Sequence, residues 1–226
     1  MPTVLLIHGG LWEETDADQF WGRPGIVSGL EGLGFDVVAP NRLRRASTWT
    51  EEAEHVAATL AQGSPVPQDV PVTVVGGSFG SGVAVRLALD FPDLVGRMLL
   101  AWPAAVGDQF VAIRARADLA RLGARPHVLD ALLGSGTLPS ATDEELRTLT
   151  VPAGVLAAVP PNPVHPRSTV DALLRLLPFP AELPGCPEAP RPEFAPYLQS
   201  FLGTVAAFAE SRLPACLDQC LWLSMC

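Results

Sequence analysis

The serine at position 78 lies at the centre of a Gly-x-Ser-x-Gly pattern over residues 76–80. Residues 72–75 are apolar or β-branched and predict a short buried strand, while residues 83–89 predict a helix. On such a strand–turn–helix connection the serine occupies a strained turn, and the flanking glycines are needed because side chains there would clash. The helix start at Phe79 also points free N–H groups toward the serine oxygen. The alternative is a glycine-rich turn with a chance serine; the context favours a nucleophile elbow with Ser78 as the candidate nucleophile.

Six strand patterns alternate with helical patterns, which is typical of a doubly wound, mostly parallel sheet of the α/β class. The strands are predicted at 4–7, 35–39, 72–75, 96–102, 153–159 and 180–183. The helices between and after them are predicted at 18–33, 51–62, 79–89, 168–177 and 197–210. With strand order 2-1-3-4-5-6, the order reverses between the first and third strands, and ligands bind at that point in such sheets. Residues 8–11, which follow the first strand, are therefore expected beside Ser78.

Residues 107–149 interrupt this alternation with short helical patterns at about 108–122, 126–133 and 142–149. An insertion of this kind predicts a small helical cap over a site, with ordinary packing helices as the alternative. We expect one domain over residues 1–212 that includes the cap. Residues 213–226 are expected to form a C-terminal extension that packs as a short helix, forms a homodimer contact or is dispensable.

Composition excludes several classes of function. The 226-residue chain is 48% hydrophobic and 17% charged, which suits one globular domain. No apolar run is long enough to span a membrane, and the first strand pattern begins at Val4 with no basic segment before it, so we expect no membrane segment and no signal peptide. The formal net charge of −9 argues against nucleic acid and anionic membrane as partners. All 15 basic residues are arginines, which excludes a Schiff-base lysine and a Walker-type phosphate lysine.

The cysteines and histidines do not have the spacing of a metal site. The cysteines lie at positions 186, 216, 220 and 226 without a Cys-x-x-Cys pair, and the histidines are scattered at 8, 55, 127 and 165. We therefore expect no metal ion and no cofactor, a small-molecule substrate as the binding partner, and a reducing cytoplasm as the compartment.

The motifs, taken together, resemble those of the α/β-hydrolase family. His-Gly-Gly at 8–10 follows the first strand, Gly-x-Ser-x-Gly occupies 76–80, and Pro-Val-His-Pro at 163–166 follows the fifth strand, in the order expected of the family. The resemblance covers residues 3–210. It implies an α/β-hydrolase fold with Ser78 as the nucleophile.

The resemblance also implies how a reaction intermediate would be stabilised. An oxyanion hole would use the backbone N–H of Phe79 and that of Gly10 or Leu11, each donor contributing about 3 kcal/mol of transition-state stabilisation. His8 would pack under this loop and shape it, rather than transfer a proton. Trp12, on the loop that follows, is expected either to support the pocket or to be solvated.

The rest of the triad departs from the family pattern. The family usually has Asp-Pro after the fifth core strand, where this sequence has Asn162 before Pro163. It places its histidine shortly after the last strand, often as Pro-Gly-x-Gly-His, where Glu188 occupies the histidine slot of the 184–188 segment. No histidine follows His165. The sequence therefore predicts an atypical triad, with Asn162 in a supporting position.

Three explanations remain open. In the first, His165 is a relocated base for Ser78 and is oriented by a carboxylate such as Asp108 or Glu188; its alternative role is a helix-entry histidine without catalytic function. In the second, Glu188 is the general base, with a pKa raised by burial among apolar side chains, and serves elimination, cyclisation or isomerisation. In the third, the domain is a pseudo-enzyme that binds a ligand.

Three arginines, Arg42, Arg44 and Arg45, follow the second strand near the same edge of the sheet. They are expected either to hold a substrate carboxylate or to form a hydrated surface cluster.

We predict a hydrolase that cleaves an ester, lactone or thioester of a small apolar metabolite through Ser78 with a non-standard base. The alternatives are a lyase or cyclase that uses the same pocket without an acyl-serine, and a ligand-binding pseudo-hydrolase. A basic group within hydrogen-bond reach of the Ser78 oxygen favours hydrolysis. Glu188 facing an occluded pocket away from Ser78 favours the lyase or cyclase. A serine bonded only to backbone favours the binder.

Overall fold

The computed structural model describes residues 1–12, 15–63 and 71–211, so the C-terminal extension predicted at 213–226 lies outside the described residues. The described chain contains a six-stranded sheet in which every neighbouring pair of strands is parallel. The strands are β1 (Thr3–Ile7), β2 (Asp36–Val38), β3 (Val72–Gly77), β4 (Val95–Ala101), β5 (Ala153–Ala158) and β6 (Pro180–Cys186). Their order across the sheet is β2-β1-β3-β4-β5-β6. The predicted doubly wound parallel sheet and its strand order are confirmed.

Helices cover both faces of the sheet. The α-helices of the described chain are α1 (Ile26–Gly32), α2 (Trp49–Gly63), α3 (Gly80–Asp90), α4 (Gln109–Arg121), α5 (Pro126–Leu132), α6 (Asp143–Arg147), α7 (Arg167–Leu176) and α8 (Leu198–Glu210). Shorter turns of 3-10 helix lie at Pro92–Leu94 and Pro192–Tyr197, and a π-helical turn lies at Asp18–Gly22. No helix of the described chain is long and apolar enough to cross a bilayer.

The single helix predicted over 18–33 is wrong, because the structure divides it in two. The π-helical turn Asp18–Gly22 comes first, and α1 begins only at Ile26. Between them Pro24 has no N–H to continue the helical hydrogen bonds, and Gly25 adopts a φ of 85°, in the left-handed region that glycine accepts without strain. The ring of Phe20, on the π-helical segment, lies against Gly77 at the carboxyl end of β3.

Alternate side chains of the central strands enter two separate apolar layers. In β1, Leu5 and Ile7 join the layer under α2, α3 and α7, whereas Val4 and Leu6 join the layer under α1 and α8. These four side chains are fully buried, and each contributes roughly 1.5–3 kcal/mol by leaving water. Burial on both faces explains why β1 is a continuous apolar run.

The insertion at 107–149 folds as α4, α5 and α6. Its buried leucines, including Leu119, Leu132 and Leu146, belong to the apolar layer shared with α2 and α3. The outer face of α4 presents two large apolar side chains to solvent, Phe110 and Ile113. A cap role for the insertion stays a prediction.

Candidate active site

Ser78 lies on the turn between β3 and α3, with a φ of 54° that is uncommon for a residue with a side chain. The turn is tight on both sides. A Cβ on Gly76 would come within 2.7 Å of the Gly80 carbonyl carbon, and one on Gly80 would come within 2.6 Å of the His8 oxygen. The hydroxyl of Ser81 donates to the Gly76 oxygen over 2.8 Å and closes the turn. This geometry holds the Ser78 side chain at the carboxyl end of β3.

His165 reaches Ser78 from the loop between β5 and α7. Its Nε2 lies 2.9 Å from the Ser78 Oγ. Asn162 shapes this loop, because its Oδ1 accepts hydrogen bonds from the N–H groups of Val164 at 3.0 Å and His165 at 3.1 Å. The Val164 oxygen in turn accepts from the Ala105 N–H at 2.9 Å, which ties the loop to the end of β4. Ser78 and His165 are 87 residues apart in the sequence, and the sheet brings their side chains into contact.

Glu188 follows β6 and contacts the other ring nitrogen of His165. Its Oε1 lies 2.8 Å from His165 Nδ1 and accepts from Asn162 Nδ2 at 2.6 Å. The His165 and Glu188 side chains are only 10% and 8% exposed. A carboxylate at Nδ1 selects the tautomer that carries its proton there, which leaves Nε2 free to accept the Ser78 hydroxyl proton. The three side chains therefore form one continuous chain of polar contacts.

The raised pKa expected for Glu188 is wrong. Burial alone would raise it, but hydrogen bonds from His165, the Glu188 backbone N–H and Asn162, together with the charge of His165, lower the pKa to about 2. The Nε of Arg191 also lies 2.9 Å from Glu188 Oε2. A carboxylate held in this way stays ionised and is a weak base.

The other carboxylate considered as a partner of His165 has a different role. Asp108 precedes α4, and its side chain accepts hydrogen bonds from the N–H groups of Phe110 and Val111 as the helix N-cap. Glu188, not Asp108, contacts His165.

The loop after β1 lies against Ser78, because a Cβ on Gly9 would come within 2.9 Å of the Ser78 Cβ. Gly10 has a φ of 87°, and its oxygen accepts from Arg42 Nη1 at 2.7 Å. In a planar trans peptide the N–H points opposite to the C=O, so the Leu11 N–H points away from Arg42. Within the described residues, neither this N–H nor that of Phe79 has a hydrogen-bond partner. Both are candidate donors to an oxyanion.

The prediction that Arg42 belongs to a hydrated surface cluster is wrong. Its side chain is 4% exposed and pairs with Glu52, Nε to Oε2 at 3.1 Å and Nη2 to Oε1 at 2.7 Å. Its Nη1 also donates to the His8 oxygen at 3.0 Å. Because every nitrogen of the guanidinium faces an internal partner, Arg42 is not placed to bind a substrate carboxylate.

His8 is buried under the loop, as a supporting residue would be. Its Nδ1 lies 2.8 Å from the Gly9 oxygen, and its Nε2 accepts from the Arg42 backbone N–H at 3.0 Å. Burial and the charge of Arg42 lower its pKa to about 4. His8 is therefore neutral near pH 7, with the proton on Nδ1.

The low pKa of His8 predicts an acid-sensitive fold. Its folded pKa of about 4 lies below its ordinary value of 6.5, so the unfolded chain binds one more proton between these values. The contribution of neutral His8 to the free energy of unfolding is complete above pH 6.5. It is lost as the pH falls, by about 2–3 kcal/mol at pH 4. Urea unfolding from pH 7 to pH 4 should show this loss in the parent and not in His8→Asn. The exposed His127, replaced in the same way, should leave it unchanged; an identical loss in all three proteins would contradict the prediction.

Trp12 lies on the Arg42 side of the loop. Its indole N–H donates to the Ala46 oxygen at 2.8 Å, and its ring packs against the apolar layer of α2 and α3. It borders a small cavity beside Arg42, separate from the cleft at Ser78.

A cleft of about 240 Å³ opens beside Ser78. Four predicted site residues line it, namely Gly10, Ser78, His165 and Glu188. Five further lining residues had no predicted role: Thr15, Gln19, Phe20, Pro190 and Arg191. None of residues 107–149 lines it. No group of three or more His, Cys, Asp or Glu side chains among the described residues is arranged to hold a metal ion.

Comparison with known sequences gives partial matches. An uncharacterized protein of Mycobacterium tuberculosis is 35% identical over 103 residues, which cover 44% of this chain and 28% of the relative. The pyrrolizixenacetamide deacetylase of Xenorhabdus hominickii is 30% identical over 105 residues, which cover 44% of this chain and 36% of the enzyme. The chain thus spans about a third of the curated relatives that it matches. No protein-family model matches it.

Comparison with solved structures matches almost the whole chain. The meta-cleavage product hydrolase CumD of Pseudomonas fluorescens is 17% identical with a TM-score of 0.65, covering 92% of each chain. The esterase EaEST of Exiguobacterium antarcticum is 16% identical with a TM-score of 0.66, covering 93% of this chain and 92% of the esterase. With its six parallel strands and flanking helices, the chain has the α/β-hydrolase fold.

Proposed function

We propose that the protein is a serine hydrolase that cleaves an ester, lactone or thioester of a small, largely apolar metabolite. The observation that carries the proposal is the unbroken path from Ser78 Oγ to His165 Nε2 at 2.9 Å and from His165 Nδ1 to Glu188 at 2.8 Å. This is the order of nucleophile, base and orienting acid that acyl transfer requires. Compared with the arrangement that the family resemblance implies, the base and the acid have exchanged loops.

In the first half of the reaction, the Ser78 oxygen attacks the acyl carbon while its proton passes to His165 Nε2. The oxyanion that forms accepts hydrogen bonds from the N–H groups of Phe79 and Leu11, which point at no other described partner. Glu188 stabilises the imidazolium through its contact with Nδ1. His165 then returns the proton to the leaving group, and an acyl-serine remains.

In the second half, a water molecule takes the place of the leaving group. His165 Nε2 accepts its proton as it attacks the acyl-serine, and the same N–H groups stabilise the second oxyanion. Collapse of this intermediate returns the proton to Ser78 and releases the acid.

The size and lining of the cleft suit a small substrate. Its volume of about 240 Å³ and the rings of Phe20 and Pro190 suit a compact acyl group with apolar surface. Thr15, Gln19 and Arg191 add polar groups at the same cleft. The partly matching deacetylase from Xenorhabdus, by its name, also removes an acyl group.

The two alternatives have less support. A lyase or cyclase based on Glu188 needs a free, basic carboxylate, whereas Glu188 is engaged by His165, Asn162 and Arg191, with its pKa lowered to about 2. A binding protein would need no base at the serine, yet His165 lies within hydrogen-bond distance of Ser78.

The proposal is tested by covalent labelling with a fluorophosphonate probe. The parent should gain the mass of one phosphonyl group, and peptide mapping should locate it at Ser78. Ser78→Ala should gain none, and His165→Ala should react far more slowly because the serine is then not activated. A folded parent protein that gains no adduct, or one modified at another serine, would exclude the acyl-serine mechanism.

A further inference from the structure

The buried pair Arg42–Glu52 has no part in the reaction steps proposed above, yet it is bonded to the loop that would bind the oxyanion. Through Nη1, Arg42 contacts the oxygens of His8 and Gly10, and through Nε and Nη2 it contacts both oxygens of Glu52. Glu52 belongs to the first turn of α2. The loop is thereby fixed to α2 through two side chains that are 4% and 3% exposed.

The same turn of α2 also contacts the other side of the candidate oxyanion hole. Trp49, three residues before Glu52 and thus on the same helical face, stacks on Phe79 with ring centroids 6.5 Å apart and planes inclined by 24°. Phe79 follows Ser78 and carries the first candidate N–H donor. One helical turn therefore holds both segments that would supply donors.

Only arginine can make this set of contacts. Its planar guanidinium presents five N–H donors in a fixed geometry, so one side chain can pair with a carboxylate on one edge and two carbonyls on another. A buried ion pair can often be replaced by apolar residues without loss of stability. Apolar residues, however, cannot orient the Gly10 carbonyl as Arg42 does. The direction of the Leu11 N–H in the same peptide depends on that orientation.

We propose that Arg42 and Glu52 are positioning residues that, together with Trp49, set the direction and spacing of the two oxyanion donors, the N–H groups of Leu11 and Phe79. The inference rests on the proposed hydrolase function. A guanidinium on the Gly10 oxygen also polarises the peptide and strengthens the Leu11 N–H as a donor. Loss of the pair should therefore weaken transition-state binding while leaving substrate binding intact.

The decisive variant is the double replacement Arg42→Met with Glu52→Leu, which removes both charges and fills the space with apolar atoms. Its urea unfolding midpoint should fall only modestly, because apolar packing replaces the ion pair while the His8 and Gly10 oxygens lose their donor. Its second-order rate of fluorophosphonate labelling, and its kcat with a p-nitrophenyl ester, should fall by about 30- to 100-fold with KM unchanged. Arg42→Lys keeps the positive charge but lacks the planar guanidinium, so its rate should lie between those of the double variant and the parent.

A matched control is available on another part of the sheet. Arg97, at the start of β4, is a partly buried arginine whose Nη1 donates to the Phe208 oxygen at 2.6 Å and the Ser211 oxygen at 2.7 Å. Arg97→Met also removes two carbonyl contacts of an arginine. Arg97 lies near the amino end of β4, however, whereas Ser78 follows the carboxyl end of the neighbouring strand β3. This variant should lower the unfolding midpoint and leave the labelling rate unchanged.

Loop position is measured independently of activity with ¹⁵N-glycine-labelled protein. The amide resonances of Gly9 and Gly10 should shift in the double variant and not in Arg97→Met. If the parent is labelled at Ser78 and the double variant reacts at the parental rate, the positioning role is wrong although the hydrolase function stands. If the parent is not labelled at Ser78, the hydrolase function is wrong, and unshifted glycine resonances would then overturn the positioning role as well.

Discussion

Replacing either Ser78 or His165 by alanine is expected to lower kcat for ester hydrolysis by about 10⁴- to 10⁶-fold, and replacing both is expected to lower it no further. The reason is that the two side chains act as one unit across a 2.9 Å contact. Without the base the serine hydroxyl keeps its proton, and without the serine the base has no nucleophile beside it to activate. The residual rate would come from the oxyanion donors and from binding alone.

The measurement is steady-state hydrolysis of a short-chain p-nitrophenyl ester by the parent, both single variants and the double variant. Ser28→Ala on α1 and His127→Ala on α5 change the same residue types at exposed positions and should keep the parental rate. Additive losses in the double variant would mean that the residues act in separate steps. An undiminished rate in Ser78→Ala would mean that hydrolysis does not use Ser78 as its nucleophile.

The parts of the fold that could be predicted from the sequence are those encoded by short segments. Residues 72–80 contain a strand, the glycines of the turn and a helix start, and steric limits on backbone geometry act within that range. The apolar run of β1 is equally local, because a strand covered on both faces has no polar position. The alternation of strands and helices then indicates a parallel sheet, since parallel strands need crossover connections, but it does not by itself determine the strand order, because doubly wound sheets occur in more than one order.

The polar contacts at the site could be predicted only in part. The sequence singled out Asn162 and Glu188 because they replace the residues usual in the family, and His165 because no histidine follows it. It did not determine that all three meet, since their contacts depend on how two loops leave β5 and β6. The error over the Glu188 pKa has the same origin: burial can be anticipated from apolar neighbours, but not the hydrogen bonds that outweigh it.

Arg42 and Arg191 could not be recognised from sequence, for a related reason. Charged residues in a loop are usually solvated, and only the tertiary structure places Glu52, ten residues further on, opposite Arg42. Gln19 and Phe20 reach the cleft from the π-helical turn Asp18–Gly22, and the continuous helix predicted there would have given them another direction. Such local departures from regular helix frequently occur at functional sites.

Replacing Glu188 by glutamine is expected to lower kcat by about 10³- to 10⁴-fold while the protein stays folded. Glu188 Oε1 accepts from Asn162 and faces His165 Nδ1, and Oε2 lies beside Arg191. A glutamine has one oxygen for these donors. If its oxygen takes the Oε2 position beside Arg191, its NH₂ group takes the Oε1 position and donates to Nδ1, which forces the proton of His165 onto Nε2. The ring would then face Ser78 with a donor and could not accept the hydroxyl proton.

Glu188→Asp is the matched control, because it keeps the charge and both acceptor oxygens and shortens the side chain by one methylene. It should lose less activity than Glu188→Gln, and ¹⁵N NMR of the histidine ring should show the Nδ1-protonated tautomer in the parent and not in the glutamine variant. The comparison also separates the two roles considered for this carboxylate. If Glu188 were itself the general base, Glu188→Gln would abolish turnover, whereas Ser78→Ala would not. If it orients His165, both variants lose activity, and only Ser78→Ala loses the fluorophosphonate adduct completely, because the Ser78 oxygen is still present in Glu188→Gln.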